Sequence, residues 1–273
     1  MLSAAVAKPI GSQVEAALAL RSDGRLQEAL DMLATPGEYT SDIYTVRGEI
    51  QFALGRFQEA AGSYFTVVAS EPDNIFALYH LAICLHHLSR WGEAAQTFQK
   101  VLDSDPHRDS ARLGLGACLL HLNHLEEALA NFDRCWSDAS RWRASFGKAV
   151  ALHLLGRWDE AEAAYQRLLV SDPKSEEVLS NLISLSIEAH DLEATRRYSM
   201  QLLEISPSST IALQGLAAVA LEHQEYEAAV RYCGRVVEQA PDCVEAWRNL
   251  RFATGRVMST LQRPDPASAP GRK

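Results

Sequence analysis

Prolines stand at Pro72, Pro106, Pro173, Pro207 and Pro241; three of the four gaps are 34 residues, and the fourth, 67, is two such periods less one residue. Alanines keep the same time at Ala60, Ala94, Ala128, Ala161 and Ala229, with Ala29 ahead of them and Thr195 holding the place between the last two. A single enzymatic core has no physical reason to hold so regular a beat. A stack of like supersecondary units does, because each unit needs its neighbours to bury its apolar side.

One period shows what the unit is. In residues 41–74, Ile43, Val46, Ile50, Phe52 and Leu54 form an apolar run at helical spacing, which Gly55-Arg56 interrupts. Phe57, Ala60, Tyr64, Val67 and Val68 then form a second helical face, ended by Glu71-Pro72-Asp73. Glycine enters the left-handed turn between two helices without steric cost, and proline cannot continue a helix. The unit is therefore an antiparallel helix pair.

The same reading gives units 10–40, 75–108, 109–141, 142–175, 176–209 and 210–243. Their turns fall at Gly24-Arg25-Leu26, Ser89-Arg90-Trp91, Asn123-His124-Leu125, Gly156-Arg157-Trp158, His190-Asp191-Leu192 and Gln224-Glu225-Tyr226. Residues 244–262 supply one more helix, whose Glu245, Arg248, Asn249, Arg251 and Arg256 predict the polar outer side of a terminal cap. The proline-rich end, 263–273, is expected to be disordered.

Composition narrows the function classes. An apolar share of 47% excludes general disorder. A net charge of −9 without a long basic run excludes the phosphate backbone of nucleic acid as partner. Five scattered cysteines make no disulfide framework. Cys84 and Cys118 occupy equivalent places in adjacent units, where packed helices lie roughly 8–10 Å apart, beyond the roughly 7 Å reach of a bridge. Reduced thiols and a cytoplasmic location are expected. The apolar stretch Leu2–Ala7 lacks a basic leader and is too short for a secretory signal, and no run of about 18 apolar residues is present to span a membrane.

The pattern resembles the tetratricopeptide repeat. Ala149, Leu152, Gly156, Ala161, Tyr165 and Pro173 stand at its signature places in 142–175. Leu115, Gly116, Leu119, Ala128 and Phe132 do so in 109–141, where Ser140 replaces the proline and one residue is missing. Unit 176–209 departs furthest, with Ile183, Thr195 and Ser199 in place of small, alanine and aromatic residues, and a softer joint is expected there. The resemblance implies an all-α fold: a right-handed superhelical α-solenoid of about seven helix-turn-helix repeats over residues 1–262, closed by a C-terminal capping helix. Small residues Gly48, Ala82, Gly116 and Ala149 on first helices, facing Ala60, Ala94, Ala128 and Ala161 on second helices, let each pair approach closely. Tyr64, Phe98, Phe132 and Tyr165 fill the space towards the following repeat.

The resemblance also implies that first helices line a concave groove. Positions on that face not needed for the repeat are Phe76, Tyr79, His80, Ile83, His86 and His87; then Ser110, Leu113, Gly114, Ala117, Leu120 and His121; then Arg143, Phe146, Gly147, Val150, His153 and Leu154. Asn181 and Gln214 continue the face, with Ser180 beside them. So apolar a surface marks a partner site, with Phe76, Tyr79, Ile83, Leu113, Leu120 and Phe146 as anchors. Gly114, Gly147 and Gly215 recur at one place on three first helices, either deepening the groove for another chain or allowing tight packing. Asp42 and Glu49 at one end, and Glu177, Glu188, Glu222 and Glu245 at the other, suit a ligand with an apolar middle and basic flanks.

Family members that clamp a C-terminal carboxylate need several basic and amide residues in the groove, and those with an asparagine ladder need one in successive repeats. Here Arg143 is the one basic residue of that floor, and Asn181 and Asn249 are the two asparagines at the ladder place, so neither mode fits. No phosphate loop, nucleophile elbow or paired metal-binding motif is present. The sequence reads as a noncatalytic interaction module, an adaptor or chaperone without cofactor or metal, that binds an apolar segment of a partner protein and neither nucleic acid nor membrane. The alternatives are a self-associating scaffold, and a metal- or pH-dependent module built on His86, His87, His121 and His153.

Overall fold

The computed structural model of the protein describes residues 10–33 and 40–261; the N-terminal stretch Leu2–Ala7 and the expected disordered tail, 263–273, lie outside the described residues. Among the described residues there are fifteen α-helices and no strand. In chain order they are α1 (Ile10–Ser22), α2 (Leu26–Leu33), α3 (Ser41–Ala53), α4 (Phe57–Ser70), α5 (Ile75–His87), α6 (Trp91–Ser104), α7 (Asp109–His121) and α8 (Leu125–Phe132). There follow α9 (Asp138–Leu154), α10 (Trp158–Ser171), α11 (Glu176–Glu188), α12 (Leu192–Ile205), α13 (Thr210–Glu222), α14 (Tyr226–Gln239) and α15 (Val244–Leu261).

The chain divides into two compact units, Met1–Ala151 and Leu152–Lys273. In the first, the hairpins α1–α2, α3–α4, α5–α6 and α7–α8 pack in chain order, α2 against α3, α4 against α5 and α6 against α7. In the second, α11 to α15 do the same.

Every hairpin turn places one residue in the left-handed region. Gly24, Gly55 and Gly156 have φ of 71–76°, and Ser89, Asn123, His190 and Gln224 hold the equivalent places at φ 55–61°. At the first such loop of the full-length period, Gly55 N–H donates to the carbonyl of Phe52 and Arg56 N–H to that of Gln51, at 2.9 and 2.8 Å. His190 and Asp191 repeat both bonds with Ile187 and Ser186. This bond pair satisfies helix-end carbonyls, which is why a non-glycine residue accepts the strained φ. Side-chain caps at Asn74, Ser175 and Ser209 open α5, α11 and α13.

The core is built from aromatic rings of second helices lodged against glycines of first helices. The ring of Phe132 lies between α7 and α9: a Cβ added at Gly116 would come within 2.6 Å of it, and one at Gly147 within 2.5 Å. Tyr64 sits in the same way against Gly48 at 2.9 Å, and Phe98 fills the place of a Cβ at Gly114. All three rings are buried.

Three expectations are corrected. The boundary drawn between 141 and 142 falls inside α9, which starts at Asp138, while α8 ends early at Phe132. The cause is Asp109, whose Oδ2 accepts the backbone N–H groups of Trp136 (3.0 Å) and Ser137 (2.6 Å) and ties the linker down; with no proline there, the helix begins at once. Partial burial opposes ionisation of Asp109, yet those N–H bonds hold its carboxyl below the usual value.

The soft joint at 176–209 is absent. Ile183, Thr195 and Ser199 are fully buried, and the large and small members of the usual pair have changed places: Ile183 takes the volume that an aromatic residue fills elsewhere, and Ser199 gives way. A Cβ at Gly215 would meet Ser199 Oγ at 2.5 Å and Ile183 Cγ2 at 3.2 Å, so the joint is as tight as the others. The outer side expected of the terminal helix is not polar alone: Glu245, Arg248, Arg251 and Arg256 of α15 are exposed as expected, but so are Val244, Trp247, Phe252 and Met258.

Candidate partner-binding face

Within the first unit, α5 buries Ala77, Leu78, Leu81, Ala82, Cys84 and Leu85, leaving Phe76, Tyr79, His80, Ile83, His86 and His87 on its other side. On α7 the buried row is Ala111, Leu115, Gly116, Cys118 and Leu119, and the remaining side carries Leu113, Gly114, Ala117, Leu120 and exposed His121. Up to Ala151, α9 adds half-buried Phe146 and Val150 with exposed Arg143, while Gly147 is buried. Phe76 is 39% exposed; the other expected anchors, Tyr79, Ile83, Leu113, Leu120 and Phe146, are half-buried.

Rings on this face are held in a network. His80 stacks on Tyr64 with centroids 5.4 Å apart and packs on Phe76 at 4.3 Å. Tyr79 meets Phe98 edge-on at 6.0 Å, and the Arg108 guanidinium lies 4.4 Å from the Tyr79 ring centroid. Trp142 and Phe146 stack at 5.4 Å. Sequence reasoning missed Arg108 because it stands in the turn before α7, outside the helical face; the cation–π contact adds a positive charge to a floor expected to be nearly neutral.

Histidines serve here as flat packing surfaces. His87 stacks on Phe57 (4.2 Å, 5°) and His121 on Trp91 (4.0 Å, 9°), so each imidazole caps the aromatic residue that starts the preceding second helix. His86 touches Trp91 edge-on at 4.7 Å and lies 6.0 Å from His121. Burial pushes His86 below the ordinary imidazole range, with His121 and His87 adding to it; burial and then Arg108 do the same for His80. Among the described residues no group of His, Cys, Asp or Glu is arranged to hold a metal ion.

The glycine alternatives are separated by the same geometry. The rings of Phe98 and Phe132 occupy the space at Gly114 and Gly147, so these positions present a packed aromatic surface and no deepened backbone channel.

In the second unit, Leu154 is exposed and His153 Nε2 lies 3.2 Å from Glu188 Oε2. Asn181 turns its amide to its own helix, donating to the Glu177 carbonyl at 2.8 Å. Gln214 shares a cavity of about 200 Å³ with Ile187, Ala217, Glu245 and Asn249. Two of the acidic residues expected to receive basic flanks already have partners: Glu49 is paired with Arg21, and Glu188 faces His153. Buried Cys84 and Cys118 have thiols pushed up to about 12 by burial, and Cys135 to about 11, so none is a ready nucleophile; all five cysteines are free. No described helix is long and apolar enough to cross a membrane.

Sequence profiles described as tetratricopeptide repeat match residues 45–109, 85–136 and 123–176. No curated protein matches the chain in sequence. Among solved structures, a tetratricopeptide repeat protein from Parabacteroides merdae is 19% identical with a TM-score of 0.66, over 89% of this chain and 98% of that one. PilW, a type IV pilus biogenesis factor, is 20% identical with a TM-score of 0.67, over 80% and 100%. YrrB, described as a TPR protein with an unusual peptide-binding site, is 17% identical with a TM-score of 0.57, over 74% and 97%. At such identities the likeness is one of fold. The 34-residue period, the left-handed hairpin turns and the ring-in-glycine packing agree with these matches: the chain belongs to the tetratricopeptide-repeat proteins.

Proposed function

We propose that the protein is a noncatalytic adaptor whose first unit binds an apolar segment of a partner protein across α5, α7 and α9. Tetratricopeptide repeats generally act as protein–protein interaction modules. The observation that carries this reading is the aromatic and imidazole surface around Phe76, open on a face where the backbone is otherwise tightly packed. Phe76 and the half-buried Tyr79, Ile83, Leu113, Leu120 and Phe146 offer rigid rings and branched side chains, whose ordering loses little rotamer freedom. Arg108 and Arg143 at this surface favour a segment carrying an acidic residue beside its apolar anchors, in place of basic flanks. The likeness to YrrB, described as having a peptide-binding site, supports a peptide-sized ligand, and that to PilW supports a role in assembly or chaperoning. Free, buried thiols support a reducing compartment such as the cytoplasm.

The test is crosslinking capture from native lysate with the wild type and a Tyr79→Ala/Phe146→Ala variant, followed by calorimetry with the captured segment. Capture and affinity should fall at least about tenfold with helical content unchanged. Equal affinity for both proteins refutes this face as the site.

A further inference from the structure

A second surface lies at the end of the array. In complete hairpins the first helix turns its small residue towards its own second helix, as Gly48 does to Tyr64 and Gly116 to Phe132. Leu213 and Ala217 hold the corresponding row on α13 and are buried. Thirty-four residues later that row continues on α15 as Trp247 and Arg251, and among the described residues no second helix follows. Trp247 is 50% exposed, and Arg251 is exposed as well. The other side of α15, with Ala246 and Ala253, is buried against the preceding hairpin.

The open side forms a depression of about 690 Å³ lined by Val244, Trp247, Arg248, Arg251, Phe252 and Arg256, among others. Its rings are set in place beforehand. Trp247 Nε1 donates to the Pro241 carbonyl at 2.8 Å, and Phe252 packs edge-on to Tyr226 at 6.2 Å, with Arg256 over both rings of that pair. Some arginines of the chain sit on carboxylates, as Arg90 does on Glu93 and Arg157 on Glu160. Among the described residues neither Arg248 nor Arg251 has a carboxylate within ion-pair distance, in a chain of net charge −9.

We propose that this exposed face of α15 docks an acidic amphipathic helix of a partner protein, which takes the place that a second helix holds in the complete hairpins. Charge decides among occupants. Arg251 stands where complete hairpins have a glycine or alanine, or in one case Ile183, and in none a charged residue, so a second copy of the chain offering an aromatic-bearing second helix meets a bulky cation where close approach is required. A lipid surface suits helices whose basic residues flank the apolar stripe. In α15 Arg251 lies at helical spacing between Val244 and Gly255, in the middle of the stripe, where a carboxylate is the matching group. This proposal does not depend on the α5–α7–α9 face.

The experiment titrates full-length protein with a synthetic amphipathic peptide bearing leucines and glutamates at helical spacing, following Trp fluorescence and calorimetry. A peptide with lysines for the glutamates, phosphatidylserine–phosphatidylcholine vesicles, and light scattering against concentration run in parallel. The acidic peptide should bind. Arg248→Glu/Arg251→Glu, both exposed positions, should weaken it at least about tenfold and improve binding of the lysine peptide, while Tyr79→Ala/Phe146→Ala should leave it unchanged. The proposal is overturned if the acidic peptide does not bind, or if the charge-reversed variant binds it equally well. It is equally overturned if the vesicles bind in its place, if scattering grows through α15, or if binding needs removal of residues 262–273.

Discussion

Alanine for glycine inside a helix ordinarily stabilises, by about 0.5–1 kcal/mol, because glycine loses more backbone freedom on folding. Gly62 in α4 and Gly147 in α9 are both helical, and the structure predicts opposite signs for the same substitution. A Cβ at Gly62 meets nothing within 4 Å, so Gly62→Ala should gain the full propensity term. A Cβ at Gly147 would stand 2.5 Å from the Phe132 ring, about 1 Å or more inside normal carbon contact. The ring has no free space to retreat into on the α7 side either, where it fills the place of a Cβ at Gly116, 2.6 Å from where that Cβ would stand. Overpacking of a closed core loses about 1–3 kcal/mol, which outweighs the propensity gain and leaves a net loss of about 1–2 kcal/mol. Urea unfolding of the two variants, with the slope checked for constancy, measures this directly. Adding Phe132→Leu to Gly147→Ala should recover part of the loss through a favourable coupling term. A raised midpoint for Gly147→Ala, matching Gly62→Ala, would refute the ring-in-glycine packing and restore an open backbone channel at that position.

The exchanged pair on α11 and α12 invites a double-mutant cycle. Ile183→Ala alone leaves a cavity of the kind that loses about 2–5 kcal/mol, and Ser199→Phe alone overpacks the Gly215 contact. The two together re-create the usual small–aromatic pair and should be less destabilised than the sum, by at least about 1 kcal/mol in urea unfolding; strict additivity would count against the exchange. The lowered pKa values of His80 and His86 carry a pH signature. The unfolded chain binds their protons near the ordinary imidazole value of about 6.5 while the folded chain resists. Stability should be full above that value and decline as pH falls through it towards the folded-state values. His80→Gln/His86→Gln should flatten the thermal midpoint between pH 7 and 5, a window above that of the carboxylates Glu28, Glu71 and Glu93, whose lowered pKa values act at more acidic pH. An unaltered slope would remove these histidines as the cause.

Much of the hairpin array is legible from spacing alone. Turn residues such as Gly55 and His190 occupy equivalent places and take equivalent left-handed conformations, because a local bond pattern closes each turn whatever the side chain. The early start of α9 was not legible, since it depends on Asp109, distant in sequence, capturing two linker N–H groups. The face of α5 was readable as a row of positions, but the roles along it were not. His87 and His121 are plates for Phe57 and Trp91, and Arg108 reaches the face from a turn.

What the sequence determined by itself is therefore periodic and local: where most helices turn into the next, which side of each is apolar, and that the chain is a run of paired helices. Tertiary structure alone decided which spaces are already taken. Gly147 is filled by Phe132, Ile183 and Ser199 trade volumes, and Trp247 stays half exposed on α15. The physical reason is that helical period follows from backbone geometry one residue at a time. The occupancy of a site, in contrast, depends on side chains arriving from other helices, and no local pattern encodes their arrival.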